Sequence, residues 1–558
     1  MLAVPLLVVL APVLPRGAEV LSLSDSGVPS SSDAFLRGGG GRVVSADGRW
    51  VVFESAAAEL VDDDANGVGD VFVRDRVLGS TRRVSSRPDG SSGSGHSGSG
   101  VISADGGRVA FVSRANDLVA GSNGAHYQVY VWDRATNGVQ CASRRPDGSP
   151  GSGDSYYPVL SADGSRIAFY SEAPDLIVGD GNGRGDLFVC DLDVGVPRRV
   201  NLRPNGGQSP DGALPILDLS GDGSTLAFVS GDAQLTGSGV LPVPQVHVVE
   251  LATGATVLAS LDALGVPAND ICTGVAFADT GRVVAFETRS ALHADDLNDV
   301  GDVYLRDLRL GTTSCLSLDS AGFPQGGFAA RLSPNARYAA FSSRAGQDFG
   351  SAQLYLHDRA ERRTEWMSAV GGLPANGDCL FADLVDDGTE LVFFSSASGF
   401  VESEGPGADV LSLARTAPEA RLLCLGDGSD ELSCPCANRS GAGEGCGNRA
   451  GVGARLERRN WSASLTLHFS QGFAGGTALL LEGEGPATRI PFHNGVFCAG
   501  SVANVIAVLR PGPGGTARWS PPAPLPGTVR DYQVYYRDLG GPCGAQGNLS
   551  NALRVVGE

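Results

Sequence analysis

Residues 101–113 read VISADGGRVAFVS, and close copies of this stretch recur along the chain. They are VVSADGRWVVFES at 43–55, VLSADGSRIAFYS at 159–171 and DLSGDGSTLAFVS at 218–230, with weaker copies in AFADTGRVVAFET, RLSPNARYAAFSS and DLVDDGTELVFFS. Their turn residues lie 58, 58, 59, 57, 56 and 52 residues apart, at Asp47, Asp105, Asp163, Asp222, Asp279, Asn335 and Asp387. The sequence therefore contains seven repeated units.

Each unit has the pattern of four short strands and lacks helical periodicity. The Asp-Gly pair favours a tight turn between two apolar strands, because Asp can bond its own backbone and Gly accepts positive φ. A longer polar loop leads to a third strand such as DVFVRD, and a short turn leads to a fourth such as TRRVSS. Apolar residues at successive positions indicate strands covered on both faces. Such units, stacked on like neighbours, predict an all-β, seven-bladed β-propeller.

The ends of the repeat region predict how the ring closes. VLSL at 20–23 resembles the fourth strands of later units, yet it precedes the first unit. An N-terminal strand added to the last blade would remove an open sheet edge. RLLCL at 421–425 is the alternative source of that strand.

The SADG turn, followed by RVAFVS and DVFVRD, resembles the WD-like (PD40-type) repeat of bacterial TolB-type β-propellers, which is also found in tricorn-like and prolyl-oligopeptidase-like proteins. The resemblance covers residues 20–415. The TolB propeller has six blades, so six blades is the alternative to the seven units counted here. Because propellers carry many activities, the resemblance implies a fold and leaves the function open.

The charge and the N-terminus limit the classes of partner and compartment. The 42 basic residues are all Arg and face 62 acidic ones, for a net charge of −20. This balance argues against a nucleic-acid partner, and the lack of Lys removes P-loop and Schiff-base chemistry. The apolar stretch from Leu2 to Leu14 is too short to span a bilayer and is typical of a secretory signal. We expect a secreted or periplasmic bacterial monomer with no transmembrane segment, a signal peptide at 1–19 and the propeller at 20–417.

Acidic loops precede the third strand in alternate units. VDDDANGVGDVFVRD at 61–75 opens like an EF-hand calcium loop, but Val73 stands where that loop needs a bidentate Glu. Asp and Asn also cap turn amides before strands. We interpret the loops as turn formers that require no cofactor, with Ca²⁺ as the alternative. The candidate metal ligands are Asp62, Asp64, Asn66 and Asp70 in the first unit, Asp180, Asn182 and Asp186 in the third, and Asp296, Asn298 and Asp302 in the fifth.

Connectivity brings the long loops together on one face of a propeller. We expect a protein or glycan partner to bind this face, and solvated loops without a function are the alternative. The Asp that ends the third strand recurs in five units, which suits a scaffold better than a single active site. We predict that it stabilises a turn in each case, at Asp75, Asp133, Asp191, Asp307 and Asp358.

No sequence motif supports catalysis, and we name no catalytic residue. A hydrolase of the prolyl-oligopeptidase kind needs a Gly-x-Ser-x-Gly elbow followed by Asp and His, and the chain has no such elbow. The seven His residues are dispersed. The sequence therefore favours a non-catalytic scaffold that binds protein or glycan through its long loops. The alternatives are a propeller hydrolase or lyase acting on extracellular polysaccharide or peptide, and a purely structural envelope component.

The texture changes at Cys424, where a Gly-rich stretch begins. An exported chain favours disulfides over a Cys₄ zinc site among the six cysteines of this region, which are Cys424, Cys434, Cys436, Cys446, Cys498 and Cys543. The total of 11 cysteines leaves one thiol or more unpaired, which we expect in the propeller. Alternating stretches such as SLTLHFS and VIAVLR predict a small antiparallel β-sandwich over 418–558. This region resembles a Cys-Pro-Cys-Asn-type module of secreted bacterial repeat proteins, and we expect it to serve adhesion or attachment.

Overall fold

The computed structural model describes residues 18–414, except 37–39, 123, 238–242, 295, 320–321, 345–349, 371–372, 387 and 402–406, together with the strands of the C-terminal region. Two compact units divide the chain, Met1–Arg415 and Thr416–Glu558. Within the described residues, no helix has the length and apolar character needed to cross a membrane.

The first unit consists of seven four-stranded antiparallel sheets. It is a seven-bladed β-propeller, as the repeats predicted, and the six-bladed alternative is wrong. Blade 1 contains β2 Ala34–Phe35, β3 Trp50–Ser55, β4 Asp70–Asp75 and β5 Ser80–Arg83, with a short 3₁₀ turn at Ala58–Leu60. Blade 2 contains β6 Ser97–Ile102, β7 Arg108–Ser113, β8 Gln128–Asp133 and β9 Gly138–Cys141, and blade 3 contains β10 Ser155–Leu160, β11 Arg166–Ser171, β12 Asp186–Asp191 and β13 Arg198–Arg199.

The remaining blades repeat this order along the chain. Blade 4 contains β14 Leu217–Leu219, β15 Thr225–Ser230, β16 Gln245–Glu250 and β17 Thr256–Leu258, and blade 5 contains β18 Cys272–Phe277, β19 Val283–Thr288, β20 Asp302–Asp307 and β21 Thr312–Cys315. Blade 6 contains β22 Phe328–Leu332, β23 Tyr338–Ser343, β24 Gln353–Asp358 and β25 Arg363–Trp366, and blade 7 contains β26 Cys379–Leu384, β27 Glu390–Ser395, β28 Asp409–Ala414 and the N-terminal β1 Ala18–Val20.

Strand β1 closes the ring. It pairs antiparallel with β28, with Ala18 opposite Leu413 and Val20 opposite Leu411. Glu19 adds an ion pair to Arg76 of blade 1, at 2.8 Å. Closure by the N-terminus is therefore confirmed, although the strand covers residues 18–20 and not the predicted 20–23. The propeller thus begins two residues before the predicted boundary.

The second unit is also built of antiparallel strands. Strand β29 Ala420–Cys424 pairs with β39 Ala552–Val556, so the alternative in which residues 421–425 close the propeller is wrong. The other strands are β30 Arg455–Arg459, β31 Thr466–Ser470, β32 Ala478–Glu484, β33 Ile490–Phe492, β34 Gly495–Phe497, β35 Val502–Leu509, β36 Ala517–Trp519, β37 Val529–Arg537 and β38 Gly547–Leu549. The predicted disulfides lie outside the described residues, apart from Cys424 at the end of β29.

The turn between the first two strands has the same geometry in blades 1 to 4, and Asn335 repeats it in blade 6. In blade 1 the Ser45 hydroxyl and the Arg49 N–H both donate to Asp47, at 2.6 and 3.0 Å, and Gly48 takes φ +72°. The sequence alignment of blade 5 was wrong by one residue. Gly281, with φ +64°, donates to Ala278 as Gly48 does to Ser45, so Thr280 and not Asp279 is the counterpart of Asp47.

Backbone hydrogen bonds join the blades just before these turns. The donor and acceptor pairs are Ala46 to Ala104, Ala104 to Ala162, Ala162 to Gly221, Asp222 to Asp279, Asp279 to Pro334, and Asp386 to Ala46, at 2.7–3.3 Å. Pro334 has no backbone N–H, so the equivalent hydrogen bond from blade 6 to blade 7 is missing from this circle. This circle of hydrogen bonds fixes neighbouring blades to each other around the channel.

Aromatic residues fill the space between blades. The fourth residue of the second strand is Phe in all seven blades, and none of these side chains is more than 2% exposed: Phe53, Phe111, Phe169, Phe228, Phe286, Phe341 and Phe393. In six blades this ring stacks on the third residue of the third strand, with centroids 5.5–6.0 Å apart. A single four-stranded unit would expose these rings to water, so the burial depends on stacking around the axis.

In four blades the side chain of the Asp that ends the third strand accepts hydrogen bonds from its turn, as predicted. In blade 3 the turn N–H groups of Val194 and Gly195 bond to the Asp191 backbone carbonyl instead. Asp75 accepts from the N–H groups of Val77 and Leu78 at 3.0 and 3.2 Å, and Arg49 pairs with it at 2.6 Å. The same kind of Arg–Asp pair recurs in four other blades, as Arg108–Asp133, Arg166–Asp191, Arg282–Asp307 and Arg337–Asp358.

Candidate functional site

The long loops meet on one face of the propeller, as predicted. The loop between the second and third strands of blade 1 contacts the loop that leaves the fourth strand, because Asn66 Nδ2 donates to the Gly93 carbonyl at 3.0 Å. Asn182 makes the same contact with the Ser209 carbonyl in blade 3, at 2.8 Å. We call this surface the long-loop face and the opposite one, which carries the Asp-Gly turns, the hairpin face.

In the acidic loop of blade 1, Asp70 has protein partners on both oxygens. It begins β4 and is fully buried. Asn66 Nδ2 donates to Asp70 Oδ2 at 2.6 Å, and the Ser85 hydroxyl donates to Oδ1 at 2.5 Å. Burial raises the pKa of Asp70 to about 6, and the two hydrogen bonds oppose this shift. Asn66 also caps the turn by accepting from the Val68 N–H at 2.9 Å.

The positive charge in this loop is the guanidinium of Arg83. The Arg83 side chain is 2% exposed, and its Nη2 lies 3.1 Å from Asp63 Oδ1. Its Nη1 lies 3.6 Å from Asp64, whose side chain is 3% exposed. Asp62 is exposed on the loop surface. The blade 1 loop therefore places carboxylates around an arginine that the fourth strand, β5, supplies.

Blade 3 repeats the arrangement with Arg199. Its Nη1 lies 2.7 Å from Asp186 and 3.3 Å from Asp180. Gln208 Nε2 donates to both carboxylates, at 2.6 Å to Asp180 and 3.1 Å to Asp186. Asn201 completes the set by donating to Asp186 at 2.7 Å. The structure thus joins Asp180 and Asp186 through shared donors.

Blade 5 has acids at the equivalent positions, but a residue other than arginine stands at the position of Arg83 and Arg199. Ser317 and the Gly326 N–H donate to Asp302 Oδ1 at 2.5 and 3.0 Å, and Asn298 donates to Oδ2 at 3.0 Å. Tyr304 donates to Asp296 through its hydroxyl. Cys315 stands opposite Tyr304 in the register, as Arg83 stands opposite Phe72 in blade 1. Burial raises the pKa of Asp302, and the nearby Asp296 charge adds to the rise.

Blades 2, 4 and 6 begin the third strand with Gln instead of Asp. Gln128 accepts from the Ser143 hydroxyl at 2.7 Å and donates to the carbonyls of Gly151 and Gly153, both at 3.1 Å. The same contacts recur in the other two blades. Gln245 accepts from Ser260 and donates to the Ala268 carbonyl in blade 4, and Gln353 accepts from Ser368 and donates to the Ala375 carbonyl in blade 6. The buried polar position is therefore satisfied in both kinds of blade.

The geometry gives the acidic loops a structural task in the turns. In the part of the chain that the structure describes, no group of three or more His, Cys, Asp or Glu side chains is arranged to hold a metal ion. The calcium alternative stays a prediction. In blade 5, Asp296 and Asp302 have Cys315 at the strand position that Arg83 occupies in blade 1.

Aromatic rings follow one another on the long-loop face where blades 2 and 3 meet. The centroids of His96, Tyr127, Tyr156 and Tyr157 are 6.5, 5.4 and 6.0 Å apart in that order. The guanidinium carbon of Arg114 lies 5.2 Å from the Tyr127 ring centroid. His96, Arg114 and Tyr157 are exposed, and the other two rings are half-buried. The rings form an accessible, mutually packed surface.

Carboxylates border these rings. Tyr170, the cross-strand partner of Tyr156, donates to the exposed Glu172 at 3.3 Å. Asp154 accepts from the Tyr127 N–H at 2.8 Å. Burial, followed by the charge of Glu172, raises the pKa of Tyr170 to about 12. Burial and Asp154 raise the pKa of Tyr156 as well. We call Tyr127, Tyr156, Tyr157 and Tyr170 the tyrosine cluster.

Tyr157 reaches the surface through a bulge in the innermost strand of blade 3. The register shifts between Tyr156 and Val159, and Tyr157 takes φ +54°. Phe381 occupies the same place in blade 7, with φ +55°, and the two side chains are 38% and 46% exposed. Because left-handed φ costs a non-Gly residue about 1–2 kcal/mol, the bulge presents these rings at some expense to stability.

The central channel is occupied by residues from blade 1. A Cβ on Gly40 would lie 2.3 Å from the Leu217 carbonyl oxygen of blade 4, and one on Gly41 would lie 2.8 Å from Val101 of blade 2. Arg42 pairs with Asp386 of blade 7 at 2.5 Å and lies 3.7 Å from Asp279 of blade 5. Three consecutive residues can touch four other blades only near the axis. Residues 40–42 therefore plug the channel, and glycine is required where they pass so closely.

A small charged cavity of about 50 Å³ lies beside this plug. Asp383 accepts from the Val43 N–H at 2.6 Å, and Asp218 accepts from the N–H of Phe277 at 2.7 Å and of Leu219 at 2.9 Å. Burial raises the pKa of Asp218 to about 7, which the charge of Arg331 opposes. Asp383 joins blade 7 to blade 1 and Asp218 joins blade 4 to blade 5, so the cavity serves the closure of the channel.

The thiols and two of the histidines of the propeller are poorly suited to catalysis. Its five cysteines are buried free thiols, which confirms the expected unpaired thiol: Cys141, Cys190, Cys272, Cys315 and Cys379. Burial raises the thiol pKa to about 11 in Cys141 and about 12 in Cys272, which suppresses the reactive thiolate. Burial also lowers the pKa of His247 and His357 to about 4.

The polar loops of the long-loop face were predictable, whereas the aromatic residues that distinguish this face were not predicted. The aromatic stretches are AHYQ at 125–128 in blade 2 and SYYP at 155–158 in blade 3. Tyr127 stands just before the third strand of blade 2, where blades 1 and 3 have Gly69 and Gly185, and this contrast was a usable signal. RGGGGR at 37–42 was a signal for a close backbone approach, whereas the charged positions Asp218 and Asp383 gave none because the channel joins residues far apart in the chain.

Comparison with known proteins finds resemblance at the level of solved structures. No protein-family model matches the chain, and no curated protein matches it. Among solved structures the chain is similar to TolB from Acinetobacter baumannii, at 15% identity and a TM-score of 0.34, over 56% of this chain and 64% of that one. It is similar to the β-propeller domain of the trilobed protease from Pyrococcus furiosus, at 10% identity and a TM-score of 0.40, over 66% and 93%.

The tricorn protease is a third similar structure, at 14% identity and a TM-score of 0.25, over 63% of this chain and 33% of that one. The chain thus spans less than two thirds of the Acinetobacter TolB and one third of the tricorn protease. The neighbours include both TolB and proteases, and none of these likenesses extends to function.

Proposed function

We propose that the chain is a secreted or periplasmic, non-catalytic scaffold that binds a protein or glycan partner through its long-loop face. The observation that carries this proposal is the tyrosine cluster, whose rings are packed on each other, bordered by Asp154 and Glu172, and open to solvent at Tyr157. Tyrosine and arginine are the side chains enriched at binding hot spots, because they offer large contact area together with polar groups.

The plugged channel supports the choice of face. Because Gly40, Gly41 and Arg42 occupy the axis, a ligand meets the propeller from one side and does not thread through it. The hairpin face is tied together by the circle of backbone hydrogen bonds and by the turn Asp residues, which already have partners. The long-loop face is where exposed aromatic side chains are clustered. The C-terminal unit serves attachment in this proposal.

Defined arrays of polysaccharides and of peptides test the proposal. We expect the wild-type protein to bind members of one array, Tyr157→Ala to lose that binding, and Leu78→Ala to keep it. Leu78 is a matched control because it is 72% exposed and lies in the turn after β4 on the hairpin face. Turnover of any arrayed polymer, with or without chelator, would overturn the non-catalytic assignment. Binding that disappears in Leu78→Ala and persists in Tyr157→Ala would overturn the choice of face.

A further inference from the structure

We infer that the tyrosine cluster receives a cationic side chain, Arg or Lys, from an extended basic segment of a partner protein. This inference rests on the proposed binding function of the long-loop face and names the chemistry of the partner. Aromatic faces carry negative quadrupole potential and attract a guanidinium or ammonium group placed over them. The cluster combines four such rings with two carboxylates, which is the composition of a cation site.

An intramolecular contact shows that the rings accept a guanidinium. Arg114 lies over Tyr127 with 5.2 Å between its guanidinium carbon and the ring centroid. Tyr156 and Tyr157, on β10 of blade 3, continue the surface beyond Tyr127. A second cation on Tyr156 and Tyr157 would repeat the Arg114 contact on the next rings.

The charges around the rings favour a cation over an anion or an aliphatic group. Glu172 is exposed and bonded to the Tyr170 hydroxyl at 3.3 Å. Asp154 lies 3.4 Å from His126 Nδ1 and holds the Tyr127 backbone at 2.8 Å. The raised pKa values of Tyr156 and Tyr170 follow from burial and from these same carboxylates. The site therefore has two carboxylates beside its rings, and Arg114 occupies Tyr127 alone.

Complementarity of the whole chain points the same way. The net charge is −20, and the blade 1 loop exposes Asp62 and Asp63 on the long-loop face. A basic segment is steered toward such a surface, and the rings then fix one of its side chains in place. Neutral glycans gain nothing from this field, so the observations favour a basic protein segment.

The test measures affinity for a short arginine-containing peptide, its lysine version and its uncharged citrulline version. Fluorescence anisotropy is measured at low and physiological salt, with the full chain. We expect the arginine and lysine peptides to bind and the citrulline peptide to bind at least tenfold more weakly. Removing one ring from a cation site costs about two- to thirtyfold in affinity, so Tyr157→Ala should weaken the arginine peptide by that factor while Tyr157→Phe keeps most of the affinity.

Matched variants separate the site from unspecific attraction to an acidic protein. Phe381→Ala removes the ring at the equivalent bulge of blade 7 and should leave the affinity unchanged. Glu172→Gln should weaken binding, whereas Asp62→Asn, an exposed carboxylate of the blade 1 loop, should not. Thermal unfolding of each variant shows whether it is folded, and Tyr157→Gly provides a second ring deletion that also relieves the strained φ.

The inference and the proposed function fail in different ways. Equal losses in Tyr157→Ala and Phe381→Ala, or equal binding of the citrulline peptide, overturn the cation site and leave a long-loop partner of other chemistry. Binding of neutral oligosaccharides without binding of the arginine peptide also overturns it, and retains the scaffold function with a glycan partner. Binding that depends on the hairpin face overturns both.

Discussion

In blades 1, 3 and 5 the third strand begins with Asp, whereas in blades 2, 4 and 6 it begins with Gln. Both side chains are buried and both accept a hydrogen bond from a residue just after the fourth strand: Ser85, Asn201 and Ser317 for the Asp blades, and Ser143, Ser260 and Ser368 for the Gln blades. The two kinds of blade differ in how they reach the loop that leads to the next blade.

In the Gln blades the side chain itself reaches that loop, as Gln128 does at the Gly151 carbonyl. Asp is too short for this contact, and Asn66 supplies the amide in its place at the equivalent Gly93 carbonyl. A strand Asp and a loop Asn together thus replace one Gln. The acidic loops therefore follow from the choice of side chain at one buried position.

The Asp at the start of the third strand brings a carboxyl group into the blade interior, and the blades differ in the residue that stands near it. Blade 1 supplies Arg83 and blade 3 supplies Arg199. Blade 5 has Cys315 at that strand position. Buried ions need partners, so the arginines are where the Asp blades are most sensitive to change.

Removing the arginine of blade 1 should produce the largest effect. Arg83→Met leaves the buried Asp64 without its guanidinium, and breaking a buried pair in this way costs about 3–5 kcal/mol of the free energy of unfolding. Arg82→Met is the control, because Arg82 is the exposed neighbour on the same strand. Urea denaturation measures both variants, and a difference below about 1 kcal/mol between them would contradict the role given to Arg83.

Converting a Gln blade to an Asp blade without its Asn should come next. Gln128→Asp leaves the carbonyls of Gly151 and Gly153 without a donor and buries a carboxylate, at a cost of about 2–4 kcal/mol. Gln128→Glu keeps the length but loses the donor, so it separates the missing hydrogen bonds from the shorter side chain. Stability of Gln128→Asp equal to that of the wild type would show that the two blade types are freely interchangeable.

The pH dependence of stability should follow the raised pKa of Asp70. The folded pKa of about 6 lies above the ordinary Asp pKa of 3.8, so the folded state holds this proton more tightly than the unfolded state. The resulting stabilisation is fully present below about pH 4 and is lost as the pH rises through 6. Between those limits it amounts to about 1.5–3 kcal/mol.

The variant that tests this is Asn66→Ala with Asp70→Gln, which has no titrating group at the position. Its free energy of unfolding relative to the wild type should improve from pH 4 to pH 8 by that amount, measured by denaturation at each pH. A constant difference across the range would show that Asp70 titrates normally.

At a fixed pH of 5, the same double variant should be nearly neutral. It gives blade 1 the Gln solution, with Ser85 as donor and the Gly93 carbonyl as acceptor, so we expect a change within about 1 kcal/mol. Asp70→Leu is the control and should cost about 2–4 kcal/mol, because Ser85 and Asn66 lose their buried acceptor. If the double variant loses as much as Asp70→Leu, the equivalence of the two solutions is wrong.

The propeller itself was predictable because its signals are local and repeated. The Asp-Gly turns, the apolar second strands and the polar long loops recur at nearly constant spacing, and each copy corrects the reading of the others. The one error of register, at Asp279, occurred where ADTG replaces SADG and the turn lost its usual letters. The N-terminal strand was predicted from similarity to fourth strands, with an error of two residues.

The contacts that give the site its character join distant residues. Gly40 lies against Leu217 across the axis, and Asp383 of the last blade accepts a hydrogen bond from Val43 of the first. Asn66 and Asp70 are close in sequence, yet the role of the pair is recognised only from the contact of Asn66 with the Gly93 carbonyl, which Gln128 makes with Gly151 in blade 2. The tyrosine cluster joins blades 2 and 3 through Tyr127 and Tyr156, whose ring centroids are 5.4 Å apart, and periodicity alone does not indicate this contact.

Calcium should produce the smallest effect, confined to the blade that lacks an arginine. Asp296 and Asp302 of blade 5 are the acids with Cys315 at the arginine position, so we expect weak binding there and none at blades 1 and 3. At a calcium concentration equal to Kd the stabilisation is about 0.4 kcal/mol, a rise in Tm of the order of 1 °C. Asp296→Asn should abolish this rise in calorimetry, whereas Asp64→Asn and Asp180→Asn should not. A rise that survives Asp296→Asn would mean that the arginine does not decide which loops accept a cation.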